Sequence, residues 1–174
     1  MSSSEAVTSR RAVLLGASAT LGACTFRPLM HAKSDDAVRS ELEAVSITGL
    51  DGRLGQLVRN ALLDDLNPVG VDVPSRYILD VDLQRNAQAL GIQLDNVITR
   101  FNLELTARFQ LLDAASGAVL YQSYVQRIAS YNVSSAPYAT LAAEVDAERR
   151  LAREVGDNIG TQLAVHFARQ PTPT

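Results

Sequence analysis

The single cysteine of the chain, Cys24, ends a short apolar segment that follows two arginines. A cysteine thiolate is a strong nucleophile, so its position determines which covalent chemistry it can undergo. The twelve residues before it carry no charge, and a helix of about 20 such residues is needed to cross a bilayer. The charges of Arg10 and Arg11, the short apolar stretch and the small residues before Cys24 are typical of an export signal. We therefore expect residues 1–23 to be removed.

Leu21, Gly22 and Ala23 resemble the lipobox of bacterial lipoproteins, in which a peptidase cuts before a lipidated cysteine. The resemblance implies a mature chain that begins at a lipid-anchored Cys24. Thr25 in place of an aspartate implies the outer membrane as the destination. The alternative is an ordinary buried cysteine within a core. The paired arginines fit both the general secretory route and the twin-arginine route.

Four arginines are candidates for contacts with phosphate groups or with a partner protein. Arg100 and Arg108 lie on the polar side of a strongly alternating segment, and Arg85 and Arg127 lie on segments that could adjoin it. Guanidinium groups bind phosphate through two parallel hydrogen bonds, so arginines gathered on one sheet face could form an anion site. The alternative is a solvated face on which they pair with nearby carboxylates.

Catalysis and metal binding have few candidate groups. Asp80 and Asp82 would lie about 7 Å apart on one strand face and could hold a cation, but a solvated polar face is the simpler interpretation because no third oxygen ligand is identifiable. The two histidines, His31 and His166, have no evident partners, and no nucleophile or phosphate-loop motif occurs. We expect a protein that is not an enzyme and uses no cofactor or metal.

Composition and charge indicate one globular domain. The 174 residues carry 16 basic and 19 acidic side chains, a net charge of −3 without a basic stripe, which disfavours nucleic-acid binding. After the signal, residues 24–41 are predicted to be an extended tether, because proline, charges and small residues follow one another without a period. Residues 42–170 are long enough for a single domain with a sizeable core, and residues 171–174 form a tail.

The domain begins with a predicted strand over residues 42–50 and a helix that ends before Pro68. Asp51 is the expected N-cap of that helix. Its apolar stripe, at helical spacing, comprises Leu54, Leu57, Val58, Ala61 and Leu62.

Residues 77–84 and 99–113 alternate between apolar and polar side chains, which predicts two half-buried strands. In the second of them, every odd residue from Phe101 to Leu111 is apolar and every even residue is polar. Residues 113–117 have the composition of a hairpin loop, and residues 118–131 form the returning strand. Because apolar residues occur at both its odd and its even positions, this strand is predicted to bury parts of both faces.

A long helix is predicted from Tyr138 to Ala168, with Leu141 at the start of its apolar stripe and Pro171 beyond its end. The element order is therefore β-α-β-β-β-α. Because only one sheet face is apolar, both helices should cover that face. We predict an α+β fold, a two-layer sandwich with two helices on one face of a four-stranded, mostly antiparallel sheet.

Five segments follow one another in the chain: the lipobox, TFRPLM, LGQLVRNALLDDL, the hairpin DNVITRFNLELTARFQLLDAASGAVL, and ASYNVSSAPYATLAAEVDAERRLAREVGDNIGTQLAVHF. In their order and lengths they resemble the LptE family of lipopolysaccharide-assembly lipoproteins, in its alphaproteobacterial form. The resemblance covers nearly all of the mature chain. It implies two helices on a four-stranded sheet, as the pattern also predicts.

The resemblance implies a structural role in transport. Members of this family plug the outer-membrane barrel LptD from the periplasmic side, help it assemble and bind lipopolysaccharide. Some members contact the lipid phosphates through basic residues in the loop before the third strand and near the start of the last helix. Here the loop GIQLDN carries Asp95 and no cation, and the segment YATLAAEVD is acidic. Those contacts therefore do not carry over to this chain.

A second function stays open at this point, that of an auxiliary substrate-binding lipoprotein of an ABC-type envelope lipid transporter. A lipid carrier needs an apolar cavity, whereas a plug needs a polar outer surface that fits a polar barrel lumen. The alternating strand favours the plug.

Overall fold

The computed structural model describes residues 32–92 and 98–170. The chain divides into two units, Met1–Asp35 and Asp36–Thr174, and the first is represented only by residues 32–35. In order, the elements are α1 (Ala32–Glu43), β1 (Val45–Thr48), α2 (Gly52–Leu66), β2 (Tyr77–Ile92), β3 (Ile98–Asp113), β4 (Val119–Asn132) and α3 (Pro137–Arg169).

The strands form one mixed sheet in the order β1-β2-β3-β4. β1 pairs with β2 in parallel, and the other two pairings are antiparallel. The predicted α+β class is confirmed, as is the mostly antiparallel four-stranded sheet.

The core lies between the sheet and the helices, as the alternation predicts. The odd residues Leu103, Leu105, Ala107, Phe109 and Leu111 of β3 are all buried. They pack with buried side chains of α2 and α3, which cover this side of the sheet. The hydrophobic effect on this one face therefore fixes which way β3 turns its side chains.

α1 corrects the prediction of an extended tether, because residues 32–41 are helical. The signal overlooked in the sequence is the i, i+4 spacing of Val38 and Leu42, both of which pack against the core. Glu41 secures the same helix, since its Oε2 accepts a hydrogen bond of 2.8 Å from the hydroxyl of Tyr77 and pairs with Arg76. The described part of the chain thus has three helices rather than two.

The predicted N-cap position of α2 and the predicted turn between β3 and β4 are both confirmed, but only the turn has the side-chain hydrogen bonds expected of it. Asp51 occupies the N-cap position of α2, but its side chain makes no capping hydrogen bond. In the turn between β3 and β4, Asp113 Oδ1 accepts hydrogen bonds from the backbone N–H and the hydroxyl of Ser116, each 2.7 Å long. These bonds hold the pKa of Asp113 below its ordinary value. Gly117 completes the turn with a φ of +71°.

Two predictions of burial are wrong. β4 does not bury parts of both faces, because Tyr124 and Ile128 are 66% and 56% exposed. Leu141 is exposed as well, since the buried stripe of α3 begins only at Ala147. In both cases the side chain is apolar, but no further layer of the described structure covers it.

Candidate partner-binding face

The sheet side opposite α2 and α3 carries no covering layer within the described residues, and we call it the open face. On β2 and β3, the exposed and half-buried even positions point to this side, and their strand pairing aligns them in rows. One row runs from Asp82 through Arg108 to Tyr124. The open face is therefore a broad, mainly polar surface with a few exposed apolar side chains.

Side-chain hydrogen bonds link β3 to β4 across one half of the open face. Gln126 Nε2 donates to Glu104 Oε1 at 2.5 Å, and the hydroxyl of Ser130 donates to Asn102 Oδ1 at 2.6 Å. Arg100 Nε donates to the side-chain oxygen of Asn132 at 3.2 Å. These cross-strand pairs orient the polar groups, and each amide or carboxylate group keeps further hydrogen-bonding capacity for a partner.

The other half of the open face has a shallow depression of about 530 Å³ around Arg108. Asp80, Asp82 and Tyr124 line it, together with two glutamines. Arg108 forms none of the ion pairs found among the described residues. Its charge and the Tyr124 ring are thus both presented to whatever contacts this surface.

Arg100 lies at a second, smaller depression of about 230 Å³, which α3 also lines through Asp146 and Arg150. Arg150 forms an ion pair with Asp146, whereas Arg100 forms no ion pair within the described part of the chain. The sequence did not single out Arg150, because its neighbourhood depends on how α3 crosses the end of β4.

The four candidate arginines do not gather on one face. Arg85 and Arg127 both lie opposite Leu105 in the strand register, and Leu105 is a core residue on the helix-covered side. Arg100 and Arg108 lie on the open face. The sequence could have predicted the position of Arg85, because this residue is odd-numbered, like the apolar residues Leu79 and Leu83 of the same strand.

Arg85 instead belongs to a charge cluster between β2 and α3. Its Nη2 lies 2.5 Å from Glu144 Oε1 and its Nε lies 3.3 Å from Glu148 Oε1. Glu148 is only 6% exposed. Its Oε2 accepts no hydrogen bond of regular geometry, and its ionic partner there is Arg53 of α2. Because burying an unpaired carboxylate is costly, the two arginines make the placement of Glu148 possible.

The residues considered for metal or acid–base chemistry form no such site in the described part of the chain. Asp80 Oδ1 accepts a hydrogen bond from the Thr48 hydroxyl at 3.3 Å. No group of three potential ligands occurs among the described residues. His166 stacks on Tyr121 with ring centroids 4.8 Å apart, and burial lowers the pKa of its imidazole.

Several predictions fall outside the described residues. They concern the export signal with Arg10 and Arg11, the lipobox with Cys24, the loop residue Asp95 and the tail at residues 171–174. In the part that is described, no helix has the length and apolar character to span a membrane.

Comparisons with known proteins support the assignment of the fold and identify a family. A family model described as "LptE: Lipopolysaccharide-assembly" matches residues 41–163. An uncharacterized protein of Rickettsia prowazekii (strain Madrid E) is 24% identical over 96 residues, which are 55% of this chain and 61% of that protein. The chain therefore spans less than two thirds of the length of this curated relative.

Solved structures share the architecture. A crystal structure of a candidate lipoprotein from Caulobacter crescentus CB15 is 26% identical, with a TM-score of 0.65 over 78% of this chain and 98% of that one. A solution structure of a lipoprotein B from Nitrosomonas europaea is 16% identical, with a TM-score of 0.50 over 75% of this chain and 90% of that one. The second similarity supports the fold alone.

Proposed function

The chain belongs to the LptE lipopolysaccharide-assembly family, and from this premise we propose that it is a lipid-anchored plug of the outer-membrane barrel LptD. The observation that carries the proposal is the family match over residues 41–163, which contains the whole sheet with its open face. In this role the protein helps the barrel to assemble and performs no catalysis.

The chemistry of the open face supports a plug. The interior of a large outer-membrane barrel is polar, so a plug must offer donors and acceptors on its outer surface. Asn102, Glu104 and Gln126 already form directed pairs there, and Arg108 has no ionic partner among the described residues. A lipid carrier would need an apolar cavity, whereas the two depressions described above are open and lined largely by polar side chains.

Contact with lipopolysaccharide belongs to the same proposal. Arg100 and Arg108 are eight residues apart on β3, a separation of about 27 Å at ~3.4 Å per residue. They are thus too far apart to hold one phosphate together. Each would pair separately with an anionic group, either a phosphate of the lipid or a carboxylate of the barrel wall.

The proposed anchor is Cys24, which holds the protein at the periplasmic side of the outer membrane. Each buried CH₂ contributes roughly 0.8 kcal/mol to membrane binding, so an anchor with several acyl chains is effectively permanent. Cys24→Ser should abolish labelling with radioactive palmitate and release the chain from the membrane fraction. A Thr25→Ser chain, which keeps the thiol, is the matched control. Labelling of the Cys24→Ser chain at the wild-type level would contradict the anchor.

The plug role is tested by affinity purification from detergent-solubilised outer membranes. The proposal predicts one large β-barrel protein in equimolar amount with the tagged chain, identified as LptD by mass spectrometry. Recovery of the chain without a barrel would contradict the proposal. Recovery with the membrane components of an ABC-type transporter would favour the lipid-carrier function instead.

A further inference from the structure

The two edges of the sheet differ in length and in protection. β1 is an edge of only four residues, whereas β4 is an edge of fourteen. Exposed edges usually carry lysines, prolines or inward charges that prevent pairing with another chain. β4 has no lysine or proline, and it carries a single inward charge, Arg127 on the helix-covered side. Its one irregularity is a register shift near Leu120, at one end of the strand. The edge therefore offers a long set of backbone groups for a further strand.

The types of the exposed side chains along β4 are nearly symmetric about Tyr124. Gln122 and Gln126 lie two residues to either side of it, and the apolar Leu120 and Ile128 lie four residues to either side. All five are exposed. In an antiparallel pair of identical strands centred on Tyr124, each of these five exposed residues therefore meets a chemically similar one. Such an interface is self-complementary about a two-fold axis.

We propose that β4 pairs with β4 of a second copy of this chain, antiparallel, with Tyr124 opposite Tyr124 of the partner subunit. The pairing joins the two sheets into one of eight strands. A closed barrel has no free strand edge to offer, whereas a second copy brings an identical one. A chain that plugs a barrel cannot pair in this way at the same time, so the dimer is a contact of the chain outside the barrel and does not depend on the plug role.

Charge is compatible with this register. The only charged side chain of β4, Arg127, falls opposite Tyr121 of the partner subunit. The two copies of Arg127 are offset by six residues, about 20 Å along the strand. Like charges therefore do not meet, and the guanidinium group approaches an aromatic ring, a favourable arrangement.

The size of the contact predicts a reversible dimer. The overlap from Leu120 to Ile128 is about 27 Å long, and an edge about 10 Å thick then buries on the order of 500 Å² over both copies. Stable complexes bury more than about 1,000 Å². About nine backbone hydrogen bonds would form, a number within the usual range for an interface of standard size. We therefore expect dimerisation to depend on protein concentration.

Site-directed cross-linking tests both the contact and its register. The full chain carrying Cys24→Ser has no other thiol, and Tyr124→Cys is introduced into it. Directly opposed residues of antiparallel strands have Cα atoms about 4.5–5.5 Å apart, within the range for a disulfide. The Tyr124→Cys chain should therefore form a disulfide-linked dimer under mild oxidation, in a yield that rises with protein concentration.

The matched control is Gln126→Cys on the same strand. Two copies of this residue would be offset by about 14 Å, so this chain alone should stay monomeric, while its mixture with a Gln122→Cys chain should give a linked heterodimer. Equal cross-linking of Tyr124→Cys and Gln126→Cys alone would overturn the register and with it the proposal. Absence of any linked dimer, or linkage of Tyr124→Cys to a different envelope protein in cells, would also overturn it. The dimer is assayed with the purified chain alone, so its presence or absence there leaves the proposed pairing with LptD untested and unchanged.

Discussion

The two faces of the sheet use the same strands for different purposes. On the covered face, Leu105 is fully buried among the side chains of both α2 and α3. On the open face of the same strand, Arg108 is exposed and free of ion pairs within the described residues. Because burial supplies most of the stabilisation of a fold, the covered face determines stability. The open face contributes little to it and is free to serve a partner.

The largest expected effect is that of Leu105→Ala. The substitution removes buried methyl groups and leaves a cavity under the helices, which should lower the free energy of unfolding by roughly 2–5 kcal/mol. Urea denaturation followed by circular dichroism measures this loss. Gln110→Ala, on the open face of the same strand, is the control and should change stability by less than about 0.5 kcal/mol. Equal effects of the two substitutions would show that the two faces are not distinct.

Arg85 and Arg108 place the same side chain on opposite faces of the sheet, so their substitutions compare the two faces directly. Arg85→Ala leaves the buried Glu148 with one partner fewer and should cost about 1.5 kcal/mol, the low end of the usual range for a hydrogen bond to a charged group, because the Arg85 side chain is partly exposed. Arg108→Ala removes no such partner, so its cost should stay within about 0–0.5 kcal/mol. Thermal melts of the two variants in parallel give the ranking. A larger loss for Arg108→Ala would reverse the assignment of the faces.

The smallest effect concerns Asp65 in the helix layer. Burial and the nearby Asp157 raise the pKa of its carboxyl above the ordinary 3.8. Between the ordinary and the raised pKa the folded chain binds more protons than the unfolded one, so this residue makes stability fall as the pH rises through that window. Asp65→Asn should therefore melt slightly higher than the wild type at pH 7, and the difference should shrink towards pH 4.

Asp64→Asn is the matched control for this prediction, because Asp64 is the adjacent carboxylate on the same helix, whereas the Asp65 carboxylate lies against Gly160 of α3. It should leave the melting temperature nearly unchanged at both pH values. A wild-type chain that melts higher than Asp65→Asn at pH 7 would contradict the proposed repulsion.

The sequence predicted the parts of the fold that follow from side-chain periodicity. The alternation from Phe101 to Leu111 predicted β3 and its buried side, because one face of this strand is covered and the other is not. The spacing of the apolar residues predicted α2 and α3 for the same reason. α1 was missed because, among those of its residues whose side chains are described, two contact the core, Val38 and Leu42, and so short a periodic signal is hard to recognise.

The candidate site was predicted less completely. Strand parity placed Arg100 and Arg108 on the polar face, and the same parity, applied to β2, would have placed Arg85 on the covered face. The exposure of Tyr124 and Ile128 did not follow from their apolar character. Whether a further layer covers β4 depends on where the helices pack, and local sequence does not encode that.

We propose that the open face, rather than the bulk charge of the protein, binds the partner. The double variant Arg100→Glu/Arg108→Glu tests this proposal. The measured quantity is the molar ratio of LptD recovered with the tagged chain. The control Arg149→Glu/Arg153→Glu makes the same change in net charge at two exposed positions of α3.

We expect the open-face variant to recover at least about fivefold less LptD, the factor produced by a loss of roughly 1 kcal/mol in binding. Its melting temperature should stay close to that of the wild type, because exposed charges contribute only ~0–1 kcal/mol each to stability, and the control should recover LptD normally. Recovery of LptD by the open-face variant at the wild-type ratio would contradict the claim. If that variant instead lost only its salt-sensitive binding of lipopolysaccharide, the open face would bind the lipid and not the barrel.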